Sequence, residues 1–192
     1  MLLIVIYPLV KQIFHNAVKN NMKENFTQFK GYIKIIKRKV PKWVKIFELI
    51  GLYDLAKKFG EVVSVDCYEN VFCNPGRYSI LDRMAGLNEG HLLYLALGNG
   101  TAEPSVNDTK LANETFRKLI TTKARDGLFV RTSTYLATDE ANGTHTEIGL
   151  FGGSNATSTK DSGALFTHAS INISKASNES LTIDYDIEAL TT

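Results

Sequence analysis

From residue 11 to about residue 39, apolar side chains recur at spacings of four and three. Met22, Phe26, Phe29, Ile33 and Ile36 fall on one stripe of a helix, and Lys19, Lys23, Lys30, Lys34 and Lys37 lie opposite. Gly31 weakens that helix by about 1 kcal/mol relative to alanine. Val40-Pro41 ends it, because the residue before a proline is pushed out of the α region. A second helix is predicted from Lys42 to Phe59, burying Trp43, Phe47, Ile50 and Tyr53 on one side. Lys57, Lys58 and Gly60 form its C-terminal signature. The two helices together predict a hairpin, with a chain boundary at Gly60 to Ser64.

Beyond that boundary the period shortens. Glu61 to Phe72 alternates as a strand, with Val63, Val65 and Cys67 on one face. Asn74-Pro75 opens a short helix, since Asn caps free N–H groups and Pro fits the first helical position. Ile80, Leu81 and Met84 give it a buried face, and Gly86 stops it. Leu92 to Leu97 is an apolar run with the length of a buried strand, broken by Gly98-Asn99-Gly100, a sequence suited to positive φ and a sharp turn. Further strands are predicted near 116–122, 128–137, 145–151, 163–173 and 180–189, separated by turn signals such as Asp126-Gly127 and Asn142-Gly143. In the last of these, Leu181, Ile183, Tyr185 and Ile187 alternate with Thr182, Asp184, Asp186 and Glu188, the pattern of an antiparallel sheet with one wet face. The fold class expected is therefore α+β: an N-terminal helical hairpin over 1–60, then an antiparallel β-sandwich with one short helix over 61–192. The sandwich is expected to fold without the hairpin.

Composition adds one asymmetry. Of the 192 residues, 44% are hydrophobic and 22% charged, which describes a folded chain. Up to Asp66 there are 12 Lys/Arg against 5 Asp/Glu, a balance of +7; the remainder has 10 against 15, a balance of −5. A basic segment suits an acidic protein surface, a nucleic acid or an anionic membrane, and a solvated helical face is the plainer alternative. Residues 1–10 are apolar but shorter than the ~20 residues that span a bilayer. They also lack the flanks of a signal peptide, so burial against a partner or the chain's own core is the reading, with no membrane span. Cys67 and Cys73 lack the further ligands a structural zinc needs, and reduced thiols are expected.

No catalytic constellation emerges. His145 and Glu147 share a strand face and His168 lies on a later strand, but a metal site would need all three to converge, and isolated histidines on exposed strands are commoner. Gly98 to Thr101 lacks the lysine and the following helix of a phosphate loop. Ser79, Ser133 and Ser170 have no nucleophile context, and Asp82 and Arg83, adjacent in sequence, do not face each other on a helix. No enzyme activity, cofactor or metal is expected.

Four segments in order carry a resemblance. They are Asn74-Pro75-Gly76-Arg77 with Ile80-Leu81-Asp82-Arg83-Met84-Ala85-Gly86; Tyr94 to Pro104; Asp108-Thr109-Lys110-Leu111-Ala112-Asn113-Glu114; and Thr146-Glu147-Ile148-Gly149-Leu150-Phe151. The series is similar to a widespread group of small tailed-bacteriophage structural proteins, and covers roughly residues 65–190. The resemblance implies that Asn74, Pro75, Gly76, Asp82, Gly86, Gly98, Gly100 and Pro104 are structural turn and helix residues. It implies a virion component assembled in the bacterial cytoplasm. The expected function is a non-enzymatic structural subunit, tail-associated (fibre, tip or baseplate-proximal). Capsid decoration, a head fibre or a host-glycan-binding module are the alternatives. The expected partners are copies of itself and other virion proteins, without nucleic acid. Met22, Phe26, Phe29, Ile33 and Ile36 are the expected attachment stripe, since apolar patches of that size usually mark an interface.

Overall fold

The computed structural model describes residues 28–87 and 91–190. In chain order it has β1 (Gln28–Lys39), a 3-10 turn (Lys42–Val44), α1 (Lys45–Leu49), α2 (Tyr53–Ala56), β2 (Glu61–Phe72) and α3 (Asn74–Met84). Seven strands follow: β3 (Leu92–Gly98), β4 (Glu114–Leu119), β5 (Thr122–Asp126), β6 (Phe129–Leu136), β7 (Gly143–Gly152), β8 (Ala164–Lys175) and β9 (Glu179–Leu190).

The segment from residue 28 to residue 39 is a strand, which overturns the expected helical hairpin. Gly31, Ile33 and Ile35 are buried while Tyr32 and Lys34 are exposed, a period of two. β-Branched Ile33, Ile35 and Ile36 with Tyr32 favour a pleated surface. β1 pairs antiparallel with β2 on one side and, over its whole length, with β9 on the other. Both rows of its backbone groups are thus satisfied by neighbours, and Lys30 and Lys34 share the face opposite Gly31, Ile33 and Ile35. Residues 1–27, including Met22 and Phe26 and most of the expected first helix, lie outside the described residues. The second expected helix is instead three short pieces, and Gly51 at φ +74 breaks the chain between α1 and α2. It buries Val44, Ala56 and Glu48, not Trp43 and Ile50, which are exposed.

All nine strands belong to one antiparallel sheet in the order β4-β3-β7-β8-β2-β1-β9-β6-β5. A helical hairpin beside a two-sheet sandwich is therefore replaced by a single curled sheet. The reason lies in β2. Nine of its first ten residues pair with β1, Val63 being skipped at a register shift, and its last two, Val71 and Phe72, pair with His168 and Thr167 of β8. That short ladder joins the two halves, and β1 before the expected boundary is as integral to the sheet as β2 after it. Curling brings Leu95, Leu97, Ile148, Leu150 and Ile171 of one half into a single core with Ile33, Ile35, Leu136, Ile183 and Tyr185 of the other.

α3 packs on β8 through its small residues. A Cβ on Gly76 would lie 2.6 Å from the Cα of Phe166, so only glycine lets the helix approach this closely. Gly76 and Ser79 are the buried positions, whereas Leu81 and Met84, expected inside, are 59% and 80% exposed. Gly86 at φ +70 closes the helix, with the Leu87 N–H donating to the Asp82 carbonyl at 2.8 Å. Val63, Val65 and Cys67 share one face of β2 as expected, but it is the exposed one.

Candidate functional site

Gly98, the last residue of β3, and Gly100 just beyond it are needed for space. Neither Gly98 nor Gly100 has positive φ. A Cβ on Gly98 would sit 2.3 Å from Glu147 Oε1 and 2.5 Å from the Asn113 carbonyl, and one on Gly100 would sit 2.6 Å from the same Oε1. The expected turn is thus a cradle for a carboxylate. Glu147, on β7, is 1% exposed. Its Oε1 accepts the N–H of Gly100 at 2.9 Å and of Asn113 at 2.7 Å, and its Oε2 accepts the N–H of Ala112 at 2.8 Å. Thr146 adds a bond from its hydroxyl to the Gly100 carbonyl at 2.6 Å.

His168 stands beside it on β8, where its residue pairs with Gly149. Its Nε2 lies 3.2 Å from Glu147 Oε2 and its Nδ1 2.7 Å from Asp108 Oδ2. Asp108 Oδ2 also accepts the Ser105 N–H at 2.7 Å. The 99–113 loop is therefore tied at both ends to side chains of β7 and β8. The arrangement offers little to a substrate. Glu147 is fully engaged with backbone N–H groups, and both imidazole nitrogens are occupied. The nearest thiol, Cys73, is buried against the Ser105 carbonyl at 3.6 Å. Burial pushes it up to about 12, so it is a thiol and not a nucleophilic thiolate at neutral pH.

Sequence reasoning weighed His145, Glu147 and His168 as one metal set. The structure brings Glu147 and His168 together but holds His145 apart, its Nε2 2.8 Å from the Ala141 carbonyl. Asp108 is the member that was missed, 60 residues from its partner His168. The two ring nitrogens address different carboxylates and leave no shared point for an ion. Among the described residues no group of three His, Cys, Asp or Glu is arranged to hold a metal.

Two other buried charges are structural anchors. Arg117 forms a two-pronged pair with Glu114 at 2.7 and 2.8 Å, and its guanidinium lies 4.3 Å from the centre of the Phe151 ring. It also donates to the Thr157 and Ser162 carbonyls, and so pins the 153–163 loop. Glu48 of α1 accepts the Tyr135 hydroxyl at 2.7 Å and the Thr138 hydroxyl at 2.6 Å, fastening the helical segment to the sheet.

The remaining expected residues are dispersed. Asn74 is the first residue of α3 and does not cap it; its side chain donates to Asn107 at 3.0 Å. Pro75 occupies the first turn as expected, and Pro104 is half-buried in the loop. Phe29 stacks on Phe72 at 4.7 Å, Ile33 is 1% exposed and Ile36 is half-buried, so these three serve the chain's own sheet.

Two surfaces stand out instead. The helical segment exposes Trp43, Ile46, Leu49 and Ile50, with Leu49 at 85%. On the outer face of the sheet a 780 Å³ groove is lined by Tyr32, Glu69, Arg131, Ser133, Asp184 and Asp186. Within it Arg131 pairs with Asp186 at 2.9 Å and Ser133 donates to Asp184 at 2.7 Å. Burial raises the Asp186 carboxyl, opposed by Arg131. No helix among the described residues is long and apolar enough to cross a membrane. No protein-family model matches the chain, and no curated protein or solved structure is significantly similar to it.

Proposed function

We propose that this chain is a non-enzymatic structural subunit of a tailed-phage virion, associated with the tail, which assembles with copies of itself and with other virion proteins. One observation carries the reading. Gly98, Gly100, Asp108 and Glu147, drawn from three of the segments that carry the phage resemblance, meet in one closed buried network. Such a network commits its polar groups to fixing a loop, which serves a subunit that must keep one shape and leaves no group poised for chemistry. The exposed ridge of Trp43, Ile46, Leu49 and Ile50 supplies a contact surface in place of the expected N-terminal stripe.

The test is incorporation. Particles banded from a lysate of the strain that encodes the chain should contain it, in the tail fraction after heads and tails are separated. Ile46→Glu with Leu49→Glu should leave the melting temperature within a few degrees and remove the chain from the band. Absence of the native chain from the particles refutes the proposal. The host-glycan reading is favoured by the groove with Tyr32, Arg131, Asp184 and Asp186 in its walls. Glycan binding that is lost on Tyr32→Ala would select that reading.

A further inference from the structure

The segment between β1 and β2 has two unlike sides. Toward the sheet, Val44, Phe47 and Ala56 pack with Tyr135 and Ala137, and Glu48 accepts the Tyr135 and Thr138 hydroxyls. On the other side Trp43, Ile46, Leu49 and Ile50 are 54%, 62%, 85% and 62% exposed. They follow one another at helical spacings of three and four, so their side chains make one apolar ridge. The charges around the ridge are one-sided. From Lys39 to Glu61 there are five lysines and three acids. Glu48 is buried, Asp54 is paired with Lys57 at 2.6 Å, and Glu61 stands beside Lys39 in the β1–β2 ladder. Asp139 and Glu140 lie near Tyr53, on the side that meets Tyr135, and Glu140 is held by Lys118. Lys42, Lys45 and Lys58, all exposed, are left over.

We propose that the free chain binds the surface of an anionic bilayer through this ridge. Ile46, Leu49 and Ile50 enter among the acyl chains, Trp43 sits at the interface, and Lys42, Lys45 and Lys58 meet the lipid phosphates. The inference goes beyond the virion reading, because it concerns the chain before it enters a particle. An apolar strip flanked by lysines suits a bilayer surface, and α1, with five residues, is too short to span one. Tryptophan favours the interface, and lysine stems lie along apolar surface while their ammonium groups reach the head groups. Of the partners that suit a basic segment, a nucleic acid has no use for the aliphatic Ile46, Leu49 and Ile50. A bilayer offers an apolar interior beneath an anionic surface and needs no matching hollow. The chain's own first 27 residues are a poor cover, because they add Lys11, Lys19 and Lys23 against a single acid, Glu24.

Trp43 is the only tryptophan in the chain, so its fluorescence reports this ridge alone. The experiment titrates the full-length chain with vesicles of equimolar phosphatidylglycerol and phosphatidylcholine, and with vesicles of phosphatidylcholine only. Without vesicles, acrylamide should quench Trp43 as it does a surface tryptophan. With the anionic vesicles the chain should float, the emission should shift to the blue and quenching should fall. Neutral vesicles should bind roughly tenfold or more weakly, and salt near 1 M, where charges are screened within about 3 Å, should remove the difference. Leu49→Ser should weaken binding about tenfold without moving the melting temperature, since it changes a side chain that is 85% exposed. Lys42→Glu with Lys45→Glu should abolish the preference for anionic vesicles. Trp43 shielded from acrylamide before vesicles are added would overturn the proposal, by showing the ridge covered by the chain's own N-terminal segment or a second copy. Failure to float with anionic vesicles, equal binding to neutral ones, or binding untouched by Leu49→Ser would each overturn it too. None of these outcomes bears on whether the chain is incorporated into particles, which is measured separately.

Discussion

Replacing Glu147 with glutamine removes a charge and one acceptor while keeping the shape of the side chain. The amide oxygen can stay with the Gly100 and Asn113 N–H groups, at 2.9 and 2.7 Å in the native chain. The amide nitrogen then faces the Ala112 N–H where Oε2 accepted it at 2.8 Å, and two donors confront each other in a site that is 1% exposed. Hydrogen bonds to a charged acceptor contribute roughly 1.5–3 kcal/mol, and a buried donor left unpaired costs about 1–3 kcal/mol. Counting the lost bond in full, and only part of the charge assistance at the others, gives about 2–4 kcal/mol. That is a large share of the ~5–15 kcal/mol that holds a domain folded. With a urea m-value of about 2 kcal/mol/M, the midpoint should fall by roughly 1–2 M at unchanged slope. Gly98→Ala should give a loss of similar size, since its Cβ would meet the same carboxylate and a backbone carbonyl. A shift under about 0.5 kcal/mol for Glu147→Gln, read from full urea curves, would show that the loop is not held this way.

A chain beginning at Glu61 should fail to fold: it lacks β1, which lies between β2 and β9, and loses Ile33 and Ile35 from the core. A soluble product melting cooperatively by circular dichroism would refute this and restore the sequence expectation of an independent C-terminal unit. Lys175 is 3% exposed and donates to the Thr138 carbonyl and Asn142; burial lowers it to about 8, against the pull of Glu48 and Glu140. Between about pH 8 and 10.5 the unfolded chain therefore holds a proton that the folded chain has released, so stability rises with pH across that window. Relative to Lys175→Met, the native chain should gain roughly 1–3 kcal/mol there, measured by urea denaturation at each pH, and a flat difference would contradict it.

Most β strands after Leu92 were legible because local pattern and tertiary environment agree there; β5, exposed along its whole length, was not. In β9, Leu181, Ile183, Tyr185 and Ile187 alternate in sequence and are buried in the structure. The stop at Gly86 was equally local, since a backbone at φ +70 is a property of one residue. β1 was not legible by the same means. Phe29, Ile33 and Ile36 suit a helical stripe, while Phe29, Gly31, Ile33 and Ile35 suit a strand face, and a short segment carries both periods at once. β2 and β9 decided between them by offering complete ladders on either side. The candidate site divides along the same line. The sequence by itself marked Gly98 and Gly100 as turn positions, and set Glu147 and His168 side by side as residues worth comparing. Only the tertiary structure decided that Glu147 serves the Gly100, Ala112 and Asn113 N–H groups and that Asp108 meets His168. Those contacts span 34 to 60 residues, and their partners are set by strand pairing and curl, which no local spacing encodes.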